Sequence, residues 1–466
     1  MKKKKRLPYA LSNYEKLIRE NYYYIDKTAY IEKIEDTNNP VFLRPRRFGK
    51  TLFTQMLKWY YDIKAKDRFE ELFGQLYIGK NPTPKHNSLF VLTLNFSGMD
   101  TFADDEMLLQ ERFNRSVMVH FSGFLKHYAD LLQLSDSQIE KFIDRYSNDS
   151  ASGLSKIVEF VYQAGGKLFV SIDEYDSLTN ALAIRYRYDS KDTNMYLKIL
   201  DKGGFFRTFF EALKAGGETA IDNVYITGIL PITISDMKSG YNQATWITFN
   251  PKFYDLLGIT QSEFTELIDW LYEDYAITID KAKLKETIRL NYNGYRFLPG
   301  RELIYNPMMT LYFLKYVADF DQYPPYFDDK NTRINYNQIS FLFGTNKKEA
   351  ARIMSEISET KELVHTTTLD VSFDMVDYKE GKHIAEGLFY SGIVTHSDYS
   401  DFLKIPNIIT YSFTLDYFDK IMEFEPEQFN IKQWIIKYKR EGEIEPLIQG
   451  FFADIILKFP GDFFAN

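Results

Sequence analysis

One eight-residue loop constrains the fold of this chain more than any other feature. The residues RPRRFGKT, at 44–51, follow a short apolar run at 40–43 and precede a segment with apolar residues at helical spacing. A strand, a loop ending in Gly-Lys-Thr and a helix are typical of a phosphate-binding loop, in which backbone N–H groups and the lysine contact the phosphates and the hydroxyl ligates magnesium. Arg44 stands in place of the first glycine of such loops. The alternative is an ordinary helix start with Lys50 in solvent.

A second apolar run ends in two acids. The residues LFVSI, at 168–172, have strand length and are followed by Asp173 and Glu174. A buried strand that ends in two acids is typical of a Walker B element, in which the first acid holds magnesium and the second orients and deprotonates the attacking water. A strand ending in a solvated acidic turn is the alternative. Together with the loop at 44–51, the run predicts binding and hydrolysis of a nucleoside triphosphate, with ATP and Mg²⁺ as ligands.

Two further runs predict strands of the same sheet. The run at 90–96 is expected to be a strand inserted between the loop strand and the acidic strand, as in P-loop ATPases that carry a catalytic glutamate. The run at 223–228 ends in Thr227, either as a sensor near the terminal phosphate or in a buried strand that leaves through a Thr-Gly turn. Strands separated by long helical patterns favour a parallel sheet covered by helices on both faces. The expected fold class is therefore α/β, of the P-loop AAA type.

The chain is predicted to have four parts. Residues 1–245 form the nucleotide core, 246–320 a helical lid, 321–440 a helical module of winged-helix type, and 441–466 the start of a further domain or a tail. In the lid, Thr260 followed by Glu263 predicts a capping box that begins a helix. The pattern at 385–395 predicts a helix that turns through a glycine into a strand, with a return strand at 402–405.

The candidate site combines residues from the core and the lid. Lys50 and Glu174 are the expected catalytic groups, and Thr51 and Asp173 the expected magnesium ligands. Arg46 and Arg47 either contact phosphate or pair with acids such as Asp173 and Glu174. Arg296 either contacts a phosphate from the lid or is a surface arginine that pairs with an acid. The full set of expected nucleotide contacts is Arg46, Arg47, Phe48, Gly49, Lys50, Thr51, Leu52, Thr227 and Arg296.

Seven motifs, spread over nearly the whole chain, carry a resemblance to a known family. In order they are YYYIDKT at 22–28, LRPRRFGKT at 43–51, IDEYD at 172–176, ITG at 226–228, YNGYRF at 292–297, YNP at 305–307 and LKIPN at 403–407. The chain resembles the bacterial AAA-ATPase-like family, in which RPRRFGKT is the usual form of the loop. The resemblance implies nucleotide binding, with hydrolysis, by Lys50, Thr51, Asp173 and Glu174.

Members of that family are often fused to a C-terminal PD-(D/E)XK nuclease-like domain. The sequence given ends at Asn466, which leaves room for only the start of such a domain after 403–407. Asp454 and Asp462 are present, but no Glu-x-Lys follows them. We therefore expect no nuclease chemistry from these residues, unless they are a fragment of a longer product.

Composition narrows the remaining possibilities. There are 57 Lys and Arg against 65 Asp and Glu, a formal net charge of −8, which does not support nucleic acid as a partner although a local basic patch would allow it. The absence of cysteine excludes disulfides and cysteine nucleophiles. The six histidines show no HExxH motif and no close metal-ligand pairing, and no GxSxG motif occurs. Without an apolar run of about 20 residues, the chain is expected to be cytoplasmic and not membrane-bound.

Three functions fit these observations. The first is an Mg²⁺-dependent ATPase whose cycle drives a conformational switch. The second is a nucleotide-gated binding protein with little turnover, which would act on a protein partner or as a homo-oligomer. The third is the ATPase half of an ATPase–nuclease fusion that acts on DNA.

Overall fold

The structure is a computed structural model that describes residues 4–421, apart from 104, 186–192, 329–351, 354, 358–359, 366–368, 376–381 and 400. The chain divides into two compact units, residues 1–413 and 414–466. The second unit is described only as far as residue 421. The expected start of a further domain at 441–466 lies outside the described residues, and so does part of the module at 321–440. The four predicted boundaries therefore stay predictions.

Five parallel strands form the central sheet. They are β1 (Pro40–Leu43), β2 (Phe90–Asn95), β3 (Leu168–Asp173), β4 (Ile221–Gly228) and β5 (Thr245–Trp246), in the spatial order β2-β3-β4-β1-β5. Every residue of β1 and β3 is buried. Central strands covered on both faces need continuous apolar sequence, which explains the two runs that end in the loop and in the acids.

The order of the strands corrects one expectation. The strand at 90–96 was expected between the loop strand and the acidic strand. Among the described strands, however, β2 is the outermost of the sheet and pairs with β3 alone. The strand between them is β4, which pairs with β3 on one side and β1 on the other. Position along the chain does not fix position in a parallel sheet, because each crossover helix can return the chain to either side. A strand does lie between β1 and β3, but it is β4, which follows both of them in the sequence.

Helices surround this sheet and continue after it. They are α1 (Tyr14–Arg19), α2 (Tyr30–Glu35), α3 (Lys50–Tyr61), α4 (Phe69–Phe73), α5 (Tyr77–Lys80), α6 (Glu106–His127), α7 (Asp136–Tyr146), α8 (Ser150–Gln163), α9 (Ser177–Arg185), α10 (Thr193–Leu200), α11 (Phe205–Gly216), α12 (Ile232–Met237), α13 (Gln261–Asp274), α14 (Lys281–Tyr292), α15 (Pro307–Phe320), α16 (Ile384–Ser391) and α17 (Ile408–Ile421). Short 3₁₀ turns lie at Ile63–Arg68, Lys238–Tyr241 and Pro251–Phe253. Among the helices of the described residues, none has the length and apolar character needed to cross a membrane.

The segment after β5 is mainly helical, as predicted for 246–320. Its helix α13 begins with the predicted capping box, in which Thr260 and Glu263 bond to each other's backbone N–H groups. The Glu263 carboxylate also accepts a hydrogen bond from Lys27, at 2.6 Å, so the cap ties α13 to the segment before α2. The same residue therefore both starts the helix and fixes its position.

A three-stranded antiparallel sheet follows in the next segment. Its strands are β6 (Glu362–Val364), β7 (Thr395–His396) and β8 (Phe402–Lys404), in the order β6-β8-β7. As the sequence predicted, α16 ends at Gly392, in a left-handed conformation with φ 78°, and the chain continues into β7 and returns in β8. The strand β6 was not predicted. The winged-helix interpretation of this segment stays a prediction.

Candidate phosphate-binding site

The loop between β1 and α3 curls because two of its residues have left-handed backbone. Gly49, which precedes the first residue of α3, has φ 99°, and Arg47 has φ 71°. Glycine adopts this conformation without steric cost, whereas other residues rarely do. The first turn of α3 directly follows, so the N–H groups at the start of a twelve-residue helix face the loop. The strand, the curled loop and the helix thus follow one another in the order that the sequence predicted.

Lys50 is folded back onto the loop. Its side chain is buried, and Nζ donates hydrogen bonds to the carbonyl oxygens of Arg44 (2.9 Å) and Pro45 (3.0 Å). Burial lowers the pKa of the Lys50 ammonium, while the nearby carboxylates of Glu174 and Asp173 act in the opposite direction. The ammonium group thus lies close to both acids of the second motif and is held by carbonyl oxygens of its own loop.

Thr51 and Asp173 are in direct contact. The Thr51 hydroxyl donates to Asp173 Oδ2 at 2.7 Å, although the two residues are 122 positions apart in sequence. The amide of Asn95, at the end of β2, lies 3.4 Å from the same oxygen, and the backbone N–H of Glu174 donates to Oδ1 at 3.0 Å. Burial raises the pKa of the Asp173 carboxyl. The carboxyl ends of β1, β2 and β3 therefore bring three oxygen- or amide-bearing side chains to one point.

Glu174 has an unusual backbone conformation. Its φ is 54°, in the left-handed region that non-glycine residues seldom occupy. Its backbone N–H bonds to Asp173 and its carbonyl accepts from Ser177, so the turn after β3 is fixed on both sides. Strained backbone of this kind often occurs where a side chain must be held in one direction at a functional site. The side chain of Glu174 is half-buried and lies near that of Lys50.

Asp176 holds the acidic turn against β4, and sequence reasoning gave it no separate role. Its buried Oδ2 accepts hydrogen bonds from the backbone N–H groups of Ile229 (3.1 Å) and Leu230 (2.8 Å). Gly228 is required beside it, because a Cβ at that position would lie 2.4 Å from Asp176 Oδ1. The sequence contains both motifs of this contact, IDEYD at 172–176 and Thr-Gly at 227–228. Only the strand order shows that the two motifs are neighbours in the fold.

Thr227 and Arg296 are placed away from the roles expected of phosphate contacts. The Thr227 hydroxyl is buried and donates to the carbonyl of Phe42 in β1, at 2.8 Å. Arg296 pairs with Asp398 at 2.7 Å and donates to the carbonyls of Arg301 and Ser397. For Thr227 the structure agrees with the alternative of a buried strand residue. Arg296 is paired with an acid, as its alternative proposed, but it is buried and not on the surface. We therefore leave both out of the proposed site.

The remaining arginines of the loop differ sharply in environment. Arg46 is exposed, and Arg47 is half-buried, with an Nη1 atom that has no hydrogen-bond partner among the residues described. Burial, together with the neighbouring Arg46, lowers the pKa of Arg47. No ion pair of either arginine with Asp173 or Glu174 is found in the described part of the chain. Arg47 is thus a cation of the loop with one buried nitrogen that is unpaired among the described residues.

Arg44 is a structural residue. Its guanidinium is buried and donates to the carbonyls of Thr248 (3.1 Å) and Tyr254 (3.2 Å), and it lies over the rings of Phe42 and Phe297, at 4.3 and 4.1 Å. No carboxylate pairs with it among the described residues. Burial lowers its pKa to about 9, so it is still protonated at pH 7. In place of the first loop glycine, Arg44 connects the end of β1 to the segment after β5.

Restoring glycine at position 44 is expected to destabilise the protein. Arg44→Gly would leave two buried carbonyls without donors and a cavity between two aromatic rings, although it would also remove an unpaired buried charge. We expect the free energy of unfolding to fall by about 3 kcal/mol. Urea denaturation followed by circular dichroism measures this change. The exposed neighbour provides the control: Arg46→Gly has the same backbone effect and should shift the midpoint little. Equal midpoints for the two variants would show that Arg44 is not a structural residue.

The loop also packs against the segments that follow the sheet. Phe48 is buried, and its ring makes edge contacts with Tyr295 (5.0 Å) and Phe297 (5.3 Å). The ring of Phe48 therefore packs against later segments. It also lines the cleft described next, so the expected nucleotide contact of this residue stays a prediction. On the other side, Pro45 approaches Gly392 so closely that a Cβ there would lie 2.9 Å from the proline ring.

An apolar cleft opens beside the start of α3. It encloses about 610 Å³ of empty space, including the part open to solvent. Gly49 and Leu52 form the wall nearest to the loop. The other walls come from residues before α2 and after β5, among them Pro8, Tyr23, Tyr24, Ile25, Leu256 and Leu257. The cleft therefore continues the phosphate loop with an apolar surface of the kind that binds planar rings.

Comparison with known proteins agrees with this geometry. An uncharacterized protein from the vnfD 5′ region of Azotobacter chroococcum mcd 1 is 23% identical over 321 residues, which cover 66% of this chain and 51% of that protein. The chain thus spans about half the length of the curated relative it matches. No solved structure matches it significantly. The family described as "Predicted AAA-ATPase" matches residues 8–238, which include the loop, both acids, and strands β1 to β4. Through these residues the chain belongs to the AAA-ATPase-like family.

Proposed function

We propose that this protein binds MgATP at the loop of residues 44–51 and hydrolyses it. The observation that carries the proposal is the hydrogen bond between Thr51 and Asp173, with Lys50 and Glu174 beside it. A hydroxyl, a carboxylate, an ammonium group and a second carboxylate at the carboxyl edge of a parallel sheet match the parts that P-loop ATPases use. Family membership supports the same conclusion.

The two expected metal ligands suit Mg²⁺. Magnesium prefers oxygen ligands and is usually held by one or two protein groups, with water and phosphate oxygens completing its shell. Thr51 Oγ1 and Asp173 Oδ2 are such a pair, and Asp173 is buried at the point where the phosphates would end. A bound Mg²⁺ would neutralise charge on the phosphate oxygens. It would also replace the hydrogen bond between the side chains of Thr51 and Asp173.

The loop would hold the triphosphate mainly through backbone N–H groups. Lys50 would exchange its hydrogen bonds to the Arg44 and Pro45 carbonyls for the terminal phosphates, which are stronger, charged acceptors. Arg47, with its unpaired Nη1, would add a second cation. The apolar cleft beside Gly49 and Leu52 would take the base, so that the nucleotide lies along the N-terminal end of α3.

Glu174 is the proposed base. Its side chain lies near Lys50, and its backbone is fixed by hydrogen bonds at both ends of the residue. From this position its carboxylate would orient a water molecule toward the terminal phosphate and accept its proton. The charge that develops on the phosphate would be stabilised by Lys50 and by the backbone N–H groups of the loop.

A second candidate, a nucleotide-gated switch with slow turnover, is supported by the position of Arg296. This lid arginine is bound to Asp398 and to two carbonyls, so it does not supply positive charge to the phosphates. An added arginine commonly speeds hydrolysis in P-loop proteins by about 10³ or more. The isolated chain is therefore expected to hydrolyse ATP slowly. Through the contacts of Phe48 and Pro45, nucleotide binding at the loop would change the position of the later segments.

The purified full chain should bind MgATP with a Kd of about 1–100 µM and release phosphate at a slow but measurable rate. Isothermal titration measures the first, and a coupled phosphate-release assay, with and without DNA, measures the second. Binding with no release in either condition would favour the switch. If millimolar MgATP produces no heat of binding and no thermal stabilisation, the proposed function is wrong.

A further inference from the structure

A second group of polar side chains lies in the segment that contains the antiparallel sheet. His383 directly precedes α16, and Glu386 lies one turn later on the same face. The Glu386 carboxylate is buried, and its Oε1 lies 3.5 Å from His383 Nδ1. With a carboxylate oxygen of Asp370, these ligand atoms all lie within 4.8 Å of one another. His365 Nε2 lies 4.0 Å from the same Glu386 oxygen.

The distance between His383 Nδ1 and Glu386 Oε1 fits two ligands of one metal ion. His383 Nδ1 is buried, and it has no hydrogen-bond partner among the described residues. Ligand atoms about 2.0–2.2 Å from a tetrahedral ion lie about 3.4 Å apart. The 3.5 Å between His383 and Glu386 matches that edge. A cation between them would satisfy the imidazole nitrogen and the buried carboxylate together.

Neighbouring groups hold two of the ligands in place. The ring of Phe373 stacks on the imidazole of His383, with centroids 4.8 Å apart and planes at 16°. The Tyr390 hydroxyl donates to the backbone carbonyl of Asp370 at 3.1 Å, which fixes that residue next to α16. Such supporting contacts keep ligands in a binding geometry before the ion arrives.

We propose that Asp370, His383 and Glu386 form a site for a divalent transition-metal ion of the zinc type. One imidazole and two carboxylates make a mixed nitrogen and oxygen set that suits zinc better than magnesium or calcium, which prefer oxygen alone. His365 supplies a fourth donor next to Glu386. The bound ion connects the segment that holds Asp370 to α16, whose last turn leads to Gly392 and so to Pro45 of the phosphate loop.

The sequence contained a signal that a search for paired histidines missed. The spacing His383-x-x-Glu386 places two ligands one helical turn apart, so the expectation of no close metal-ligand pairing was wrong for this position. Asp370 is 13 residues earlier and could not be assigned without the fold, because its place depends on the contact with Tyr390.

The test uses the full chain, freed of metal with a chelator and titrated with Zn²⁺ by calorimetry. We expect one Zn²⁺ per chain, a rise of several degrees in the unfolding temperature, and the visible bands of tetrahedral Co²⁺ when cobalt replaces zinc. His383→Ala and Glu386→Gln should each weaken Zn²⁺ binding about 100-fold and abolish the cobalt bands.

Two control variants separate this site from others. His86→Ala removes a histidine elsewhere in the chain, and Asp173→Asn removes the expected magnesium ligand; both should bind Zn²⁺ as the unaltered chain does. The proposal is overturned if Zn²⁺ binds only at millimolar concentration, or if both site variants keep the affinity. The first result would mean that the cluster is a buried carboxylate that lies between two imidazole rings without a metal ion.

Discussion

MgATP binding by the Lys50→Ala variant is expected to be at least about 100-fold weaker than by the unaltered chain, a loss of about 3 kcal/mol or more. Lys50 is a buried cation that interacts electrostatically with both acids of the site, and the loop at 44–51 contains no other lysine. Removing it leaves the terminal phosphates without their principal charge partner. Isothermal titration with a non-hydrolysable ATP analogue and Mg²⁺ measures the loss.

The stability of this variant should change much less than its affinity. Among the described residues, the Lys50 ammonium bonds only to the loop carbonyls of Arg44 and Pro45. A buried charge without a directly bonded carboxylate contributes little net stability. Lys58→Ala is the matched control, since it removes a lysine from the same helix two turns away from the loop. A Kd for Lys50→Ala within a factor of two of the control would contradict the site assignment.

Phosphate release by the Glu174→Gln variant is expected to fall by about 10²–10⁴-fold, with ATP binding changed only a few-fold. Glutamine keeps the size and hydrogen-bonding reach of the side chain but cannot accept a proton from water. The backbone of residue 174 should keep its left-handed conformation, because the bonds that fix it involve the main chain and Asp173. A single-turnover assay separates the chemical step from product release.

The neighbouring acid gives the contrast for this result. Asp173→Asn should weaken the binding of Mg²⁺ with the nucleotide, because Asp173 is the residue in contact with Thr51. Glu159→Gln, on the surface of α8, should change neither binding nor rate. If Glu174→Gln releases phosphate at the unaltered rate, another group deprotonates the water, and the proposed role of Glu174 is wrong.

Local patterns in the sequence predicted local structure well. The capping box of Thr260 and Glu263 is present as expected, and so is the helix that turns through Gly392 into a strand. Both depend on residues within a few positions of each other, where backbone preferences and side-chain reach decide the outcome. The apolar runs that became β1 and β3 are equally clear, because central parallel strands have no polar face.

Long-range partners were harder to predict. The contact of Thr51 with Asp173 was indicated by the sequence, because each residue belongs to a motif that follows a predicted parallel strand. The carboxyl ends of parallel strands lie at the same edge of a sheet. The partner of Arg296 could not be foreseen, because Asp398 lies 102 positions later in a segment with no recognised motif. The position of β4 between β1 and β3 was missed because strand order depends on the crossovers and not on apolar pattern.

The hydrogen bonds of Arg44 bear on where the proposed nucleotide-binding region ends. Every motif residue of the proposed site lies before residue 245, but Arg44 donates to the carbonyls of Thr248 and Tyr254 as well as to that of Leu43. A polypeptide cut after 245 would keep the complete motif set and yet lose both of these acceptors and the ring of Phe297, which would expose the Arg44 guanidinium at the entrance to its own loop. The nucleotide site that we propose therefore depends on a longer stretch of chain than its motifs occupy.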